Sequence, residues 1–375
     1  MSERGFARAE YQARVTRAQA MMAQAGLGAL LLTTEPEIRY FTGFLTRFWE
    51  SPSRPWFLIL PADGDPVAVI PAIGAALMGK TWVTDIRTWP APQPEDEGVS
   101  LLADVLDEFG GPVGIPSGPE THLRMAQADF ARLQGASAQV FRDDAGITAR
   151  LRAVKSEAEI AKIAHACRIA GRAFARVPEI AGPGVALSRV FRDFQRLLLE
   201  DGADWVPYLA GGAGPLGYAD VISPADDRAL CAGDVLMLDT GAVRDGYFCD
   251  YDRNFAIGAP DARVVGAHAR LLEAAQAGLA AARPGARACD VWAAMAAICG
   301  DDGGRLGHGL GMQLTEGLSL LPGDRTVLEP GMVITLEPGV ATADGNILVH
   351  EENIVIRPGG PQILSPWASD LPRID

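Results

Sequence analysis

The first 145 or so positions alternate short apolar runs with amphipathic stretches. Tyr11–Ala25 spaces its apolar residues as a helix does. Ala29–Thr33 (ALLLT) reads as a buried strand, and Trp56–Leu60 and Val67–Ile70 as two more, joined through a turn at Ala62-Asp63-Gly64-Asp65. Leu101–Phe109 and His122–Leu133 read as helices, with short strands at Pro112–Ile115 and Gln139–Phe141. Such alternation predicts an α/β domain around a central sheet. A second unit opens near Arg152. Ser156 followed by Glu159 forms a capping box, and Ile160, Ile163, Ala164, Cys167, Ala170 and Phe174 make a helical stripe. Further helices are expected at Leu187–Leu199, Arg263–Ala281 and Cys289–Ile298, and strand patterns lie between them.

Those strands hold a repeat. Residues 231–241 read CAGDVLMLDTG and residues 329–339 read EPGMVITLEPG, so both follow x-x-Gly-x-Val-aliphatic-x-Leu-acid-x-Gly. Each is a turn followed by a strand ending in an acid. Strand alternation puts Val235, Met237 and Asp239 on one face, and likewise Val333, Thr335 and Glu337. A second acid follows each. Asp250 comes 11 residues after Asp239, past the turn at Arg244-Asp245-Gly246; Glu351 comes 14 after Glu337, past a turn at Ala343-Asp344-Gly345-Asn346.

A lone acid at a strand end is ordinarily a solvated turn residue. Here Asp239 and Glu337 close apolar strands that should be buried, where an unpaired carboxylate is costly. Two hairpins related by a pseudo-twofold would gather four carboxylates, which divalent cations would reconcile. His308, in Gly307-His308-Gly309-Leu310-Gly311, is a fifth ligand candidate, and imidazole suits Mn, Fe, Co or Zn.

The bulk properties narrow the function. A formal net charge of −14 disfavours a nucleic-acid partner. The five cysteines are odd in number and include no Cys-x-x-Cys pair, which points to free thiols in a reducing compartment. The polar start MSERGFARAEYQARV lacks a signal-peptide core, and no run of eighteen apolar residues predicts a membrane span. Cytoplasm is the expected location.

The motifs LMLDTGAVRDGYFCDYDRNF, GHGLG, LEPG and HEEN resemble, in order and spacing, the ligand motifs of the pita-bread metalloenzymes: methionine aminopeptidase, aminopeptidase P, prolidase and the metal-free creatinase. AGLGALLLTTEPEIRYFTGF resembles the start of a creatinase-type N-terminal domain, and RLRAVKSEAEI its junction with the catalytic domain. The resemblance implies an α+β chain: an α/β creatinase-type domain over residues 1–148, then a pita-bread catalytic domain over 149–375. It implies that Asp239 binds one metal, Asp250 and Glu351 bridge two, and His308 and Glu337 complete the second. Glu352 is the less fitting of the adjacent pair. The cofactor implied is two divalent ions, manganese first, with Fe, Co or Zn as alternatives. Two such ions can share a hydroxide and polarise a carbonyl, with Glu337 carrying the proton to the leaving nitrogen. The implied activity is an Xaa-Pro dipeptidase or aminopeptidase P type of hydrolysis of a small peptide or amide by a homodimer.

Two departures stand out. Peptidase members carry a histidine seven residues after the ligand histidine, where this chain has Thr315 followed by Glu316. They carry another upstream of the first metal aspartate, where GGAGPLGYADVISP has none; Tyr218 and Asp220 are candidates for that space. Tyr218, Asp220, Thr315 and Glu316 are therefore the candidate substrate-binding residues. The altered pocket also admits a non-peptide substrate, as in ectoine hydrolase-like or dimethylsulfoniopropionate lyase-like members. A non-catalytic binding module is a third option, which retention of all five ligands disfavours. Arg47, Trp49 and Arg54, in TRFWESPSRPW, are candidates to face a neighbouring subunit's pocket.

Overall fold

In the computed structural model the apolar runs assemble into two units, Met1–Arg152 and Ala153–Asp375. The structure describes residues 4–51, 54–300, 303–343 and 345–375. Asp344 of the expected turn and Pro52 and Ser53 of the Thr46–Trp56 loop lie outside the described residues, as do the first three residues.

The first unit is a six-stranded mixed sheet. Its strands are β1 (Ala29–Leu32), β2 (Phe57–Pro61), β3 (Val67–Pro71), β4 (Asp85–Trp89), β5 (Val113–Ile115) and β6 (Phe141–Asp143), in the order β4-β3-β2-β1-β5-β6. β1, β2 and β3 are buried on both faces, which is why they read as unbroken apolar runs rather than alternating ones. Around them run α1 (Arg8–Ala25), α2 (Glu35–Thr42), α3 (Ala75–Met78), α4 (Val99–Leu106), α5 (Gln127–Ala136) and α6 (Ile147–Ala153).

The helix expected from His122 begins only at Gln127. Arg124 explains the delay. Its backbone N–H donates to Thr33 Oγ1 at 2.9 Å, and its guanidinium donates to the carbonyls of Trp49, Ser51 and Arg54. Those long-range bonds hold the segment irregular where local periodicity favoured a helix. α2 and β4 have no counterpart in the pattern reading.

In the second unit, α7 (Glu157–Ala175) starts at Ser156 with the expected capping box, the Glu159 N–H donating to Ser156 Oγ at 3.3 Å. α8 (Leu187–Glu200), α9 (Ala262–Ala281) and α10 (Ala288–Cys299) follow the predicted periodicity. One sheet contains β7 (Trp205–Gly214), β8 (Val235–Arg244), β9 (Tyr247–Phe248) and β10 (Tyr251–Ile257). The second repeat builds β11 (Val333–Leu336), β12 (Gly339–Ala341), β13 (Ile347–Val349) and β14 (Glu352–Val355), followed by the short β15 (Gln362–Ile363) and β16 (Arg373–Ile374). β16 joins the edge of the first sheet beside β10.

Each repeat thus yields an antiparallel pair. β8 faces β10 with Asp239 opposite Asp252, and β11 faces β14 with Leu336 opposite Glu352. Asp250 immediately precedes β10, Glu337 follows β11 and Glu351 precedes β14. Behind these pairs, Val235, Met237, Ile334, Leu336 and Ile354 pack with Val264, Leu271, Val291 and Met295 of α9 and α10 in one apolar core. Among the described residues, no helix is long and apolar enough to cross a membrane.

Ile334 is 0 % exposed at the centre of this core. Ile334→Ala should cost about 2–5 kcal/mol through lost burial and a residual cavity. Urea unfolding should show this as a lower midpoint with an unchanged denaturant slope.

Candidate metal centre

The structure brings all five sequence-derived ligand candidates together. Donor atoms of Asp250, His308 and Glu337 lie within 4.8 Å of one another, and so do those of Asp239, Asp250 and Glu351. Asp250 is common to both trios, while Glu351 falls in one of them.

Each side chain is placed by its backbone. Asp239 sits within β8, flanked by β10 on one side and by Ala210 of β7 on the other. Asp250 is clamped by Asn353, whose Oδ1 accepts the Asp250 N–H at 3.0 Å while its Nδ2 donates to the Asp250 carbonyl. Glu351 is held by its own N–H, which donates to Asp252 Oδ1 at 2.8 Å. The His308 N–H donates to Thr335 Oγ1 at 2.8 Å, and the Thr335 hydroxyl donates in turn to Glu337 Oε1.

The glycines around His308 have a steric role. A Cβ on Gly307 would stand 2.4 Å from the Thr335 carbonyl oxygen, and its φ of 142° disfavours a side chain. A Cβ on Gly309 would stand 2.0 Å from the Glu316 carbonyl oxygen. Only a bare backbone lets the histidine strand approach this closely.

The imidazole is oriented for ligation. His308 Nδ1 lies 3.0 Å from the Gly309 carbonyl, which favours the proton on that nitrogen. Nε2 then faces Glu337 Oε1 at 2.9 Å and Asp250 Oδ2 at 3.2 Å.

The electrostatics test whether cations fit. Burial, reinforced by the neighbouring carboxylates, pushes Asp239 and Glu351 well above the ordinary carboxylate range. Burial raises Asp250 to about 6 despite His308 beside it. Burial would depress the His308 imidazolium, but Glu337 and Asp250 outweigh it and hold it up at about 10. Burial also acts to raise Glu337, yet His308 draws it below its usual range. Asp239 Oδ1 and Glu351 Oε2 are buried without any hydrogen-bond partner. Buried carboxylate oxygens with no donor, aimed with an imidazole nitrogen at shared points, are what hard divalent cations need.

The substrate-side candidates are dispersed. Tyr218 was expected near the substrate; instead it is 3 % exposed, its hydroxyl donating to Asn254 Oδ1 and accepting the Val349 N–H. That phenol links the Asn254 side chain of β10 to the β13 backbone and has no free polar end. Asp220 lies in an exposed turn and accepts the N–H groups of Ile222 and Ser223. Both line a cleft of about 360 Å³ together with Gly212, Gly214 and Arg228, and none of the five ligand candidates lines it. Glu316 is buried, pairs with Lys155 at 3.2 Å and accepts the Met312 and Gln313 N–H groups, so it is committed to shaping its loop. Thr315 is half-buried in that same loop. Glu352 is engaged by Ser365, by Arg253 at 3.1 Å and by the Ala368 N–H at 2.9 Å.

Four site residues escaped sequence reasoning. Tyr208 hydrogen-bonds Asp239 and tempers its rise. Thr335, Asp252 and Asn353 orient the ligands as described. Thr335 was visible as the inward neighbour of Glu337 in the repeat, and Asn353 as the last letter of HEEN. Tyr208 and Asp252 carried no signal.

These shifts fix the sign of a pH effect. Asp239, Asp250 and Glu351 have folded pKa values above their unfolded ones, so the metal-free fold is favoured at low pH and loses stability as they ionise. For Asp250 that window runs from about 4 up to about 6, and for His308 from about 6.5 up to about 10. Chelator-treated protein should therefore melt progressively lower from pH 5 to pH 9. Manganese-loaded protein should not, and the gap should reach about 5 °C or more in a thermal-shift titration.

Comparison with known proteins gives the family. Residues 161–358 match the metallopeptidase family M24 model, and residues 14–154 match the Creatinase/Prolidase N-terminal domain model. The probable dipeptidase PepE of Mycobacterium tuberculosis is 31% identical over 351 residues, covering 91% of this chain and 90% of that protein. The ectoine hydrolase of Halomonas elongata is 27% identical over 405 residues, covering 98% and 97%. The crystal structure of dipeptidase PepE from Mycobacterium ulcerans superimposes with a TM-score of 0.83 at 28% identity, covering 98% of this chain and 99% of that one. The chain, a hydrolase with a pita-bread catalytic domain behind a creatinase-type N-terminal domain, belongs to metallopeptidase family M24.

Proposed function

We propose that this enzyme is a dinuclear metal-dependent peptidase that cleaves a small peptide, in the manner of Xaa-Pro dipeptidase and aminopeptidase P. It acts as a cytoplasmic homodimer loaded with manganese. The observation that supports this most directly is the pair of ligand trios sharing Asp250, with donorless carboxylate oxygens at Asp239 and Glu351. Asp239, Asp250 and Glu351 would hold one ion, and Asp250, His308 and Glu337 the other. When bound, two such ions supply an activated water near neutral pH and a Lewis acid for the scissile carbonyl.

The chain's own residues do the remainder. Glu337 Oε1 accepts the Thr335 hydroxyl, which fixes the carboxylate plane. Its Oε2 is the oxygen left to take a proton from the attacking water and pass it to the leaving nitrogen. Asn353 and Asp252 hold Asp250 and Glu351 at fixed positions, so little reorganisation is needed as charge develops.

A second reading within the same fold, hydrolysis of a non-peptide amide, is favoured by Thr315 in the place of a histidine and by the ectoine hydrolase relative. A panel of dipeptides including Xaa-Pro, assayed with manganese-loaded protein, separates the two. Turnover of a dipeptide, with kcat lowered about 10²–10⁴-fold in Glu337→Gln, is the expected result. Turnover of no dipeptide alongside release of an acid from cyclic or acylated amides would move the assignment to the second reading.

A further inference from the structure

We propose that Lys155 is a positioning residue for the metal centre. Its buried ion pair with Glu316 braces the loop that follows His308, and so sets how tightly the ion on His308 is held. This rests on the two-ion reading above and deepens it, naming a residue that neither ligates an ion nor touches substrate.

The loop from Gly309 to Leu318 closes around one side chain. The Glu316 N–H donates to the Gly309 carbonyl at 2.8 Å, and the Gly309 N–H donates to the Leu318 carbonyl at 2.8 Å. The Glu316 carboxylate turns inward, where Oε2 accepts the N–H groups of Met312 at 3.0 Å and Gln313 at 3.2 Å. Gly311 leaves room for it, since a Cβ there would stand 2.6 Å from Oε1. Glu316 is only 6 % exposed, and a charge so placed is unfavourable without a partner. Lys155, 5 % exposed, supplies that partner, with Nζ 3.2 Å from Oε1.

Lys155 is itself fixed to the strand that leads to Glu337. Its N–H donates to the Gly331 carbonyl at 3.0 Å, and Val154 faces Met332 across an antiparallel bridge. Met332 runs directly into β11, and β11 bonds in turn to the histidine segment. The Leu310 N–H donates to the Val333 carbonyl at 3.0 Å, and the Thr335 N–H to the His308 carbonyl at 2.8 Å. The Lys155 ammonium therefore joins the two segments that bring His308 and Glu337 together. Neither Asp239 nor Asp250 is borne on these segments, so the brace acts on one ion more than on the other. Without the ammonium, the Glu316 carboxylate must turn out to water or take up a proton. Either change loosens its hold on the Met312 and Gln313 N–H groups.

The experiment titrates chelator-treated protein with manganese by calorimetry, for wild type, Lys155→Met, Lys155→Arg, Glu316→Gln and the double variant Lys155→Met/Glu316→Gln. Hydrogen exchange of the peptide covering Met312 and Gln313 is followed in parallel. Wild type should bind two ions. In Lys155→Met one of them should bind about 10–100-fold more weakly, the range for outer partners of metal ligands, and the other within about threefold of wild type. Exchange at Met312 and Gln313 should quicken in that variant. Lys155→Arg keeps the charge and should restore most of the lost affinity. The double variant should lose less than the two single variants combined, because it buries no unpaired charge. Ion affinities that are unchanged or equally weakened in Lys155→Met, or losses that simply add in the double variant, overturn the brace and leave the two-ion reading standing. A wild type that binds a single ion removes both.

Discussion

Carboxylates do not gather in a protein interior unless something compensates for their mutual repulsion. Asp239 and Asp250 are buried, the half-buried Glu337 and Glu351 approach them, and the buried Asp252 stands opposite Asp239 across the sheet. In a medium of reduced dielectric this cluster is the least favourable element of the fold. The protein supplies a single imidazole against it, and His308 relieves only the Asp250–Glu337 side. Asp239 and Glu351 are left with oxygens that no donor reaches. Thr335 donates to the Glu337 carboxylate, while Asn353 and Asp252 fix the backbones of Asp250 and Glu351, and together these bonds hold the acids against the tendency to part.

That arrangement explains why the second unit has its particular internal symmetry. Each repeat contributes an antiparallel pair, with one acid within or just past an apolar strand, Asp239 midway along β8 and Glu337 after β11, and another just before the returning strand. The apolar strands anchor the backbones that carry the acids to the core of α9 and α10. The histidine strand fits between them because Gly307 and Gly309 present no side chain to the backbone they cross.

Much of this was legible in the sequence because it recurs. The repeated turn, strand and acid marked Asp239 and Glu337, and the acids that follow marked Asp250 and Glu351. Local pattern failed wherever distant contacts decide. The start of α5 is displaced because Arg124 is tied to the Trp49–Arg54 segment far away in sequence. Tyr218 resembled a pocket residue only because it lies near a missing histidine; its phenol is used up between two strands. Glu316 follows the altered position but serves its own loop and Lys155. Tyr208 and Asp252 look like ordinary strand residues until the fold brings the Tyr208 phenol to Asp239 and the register sets Asp252 opposite the same acid.

The clamp on Asp250 has one more consequence. Asn353 belongs to the second repeat, yet it grips the backbone of an acid from the first. A gene fragment encoding one repeat would thus produce a polypeptide lacking the amide that its counterpart donates. The dependence runs both ways, since the Glu351 N–H of the second repeat rests on Asp252 of the first, so each repeat holds an acid of the other in place.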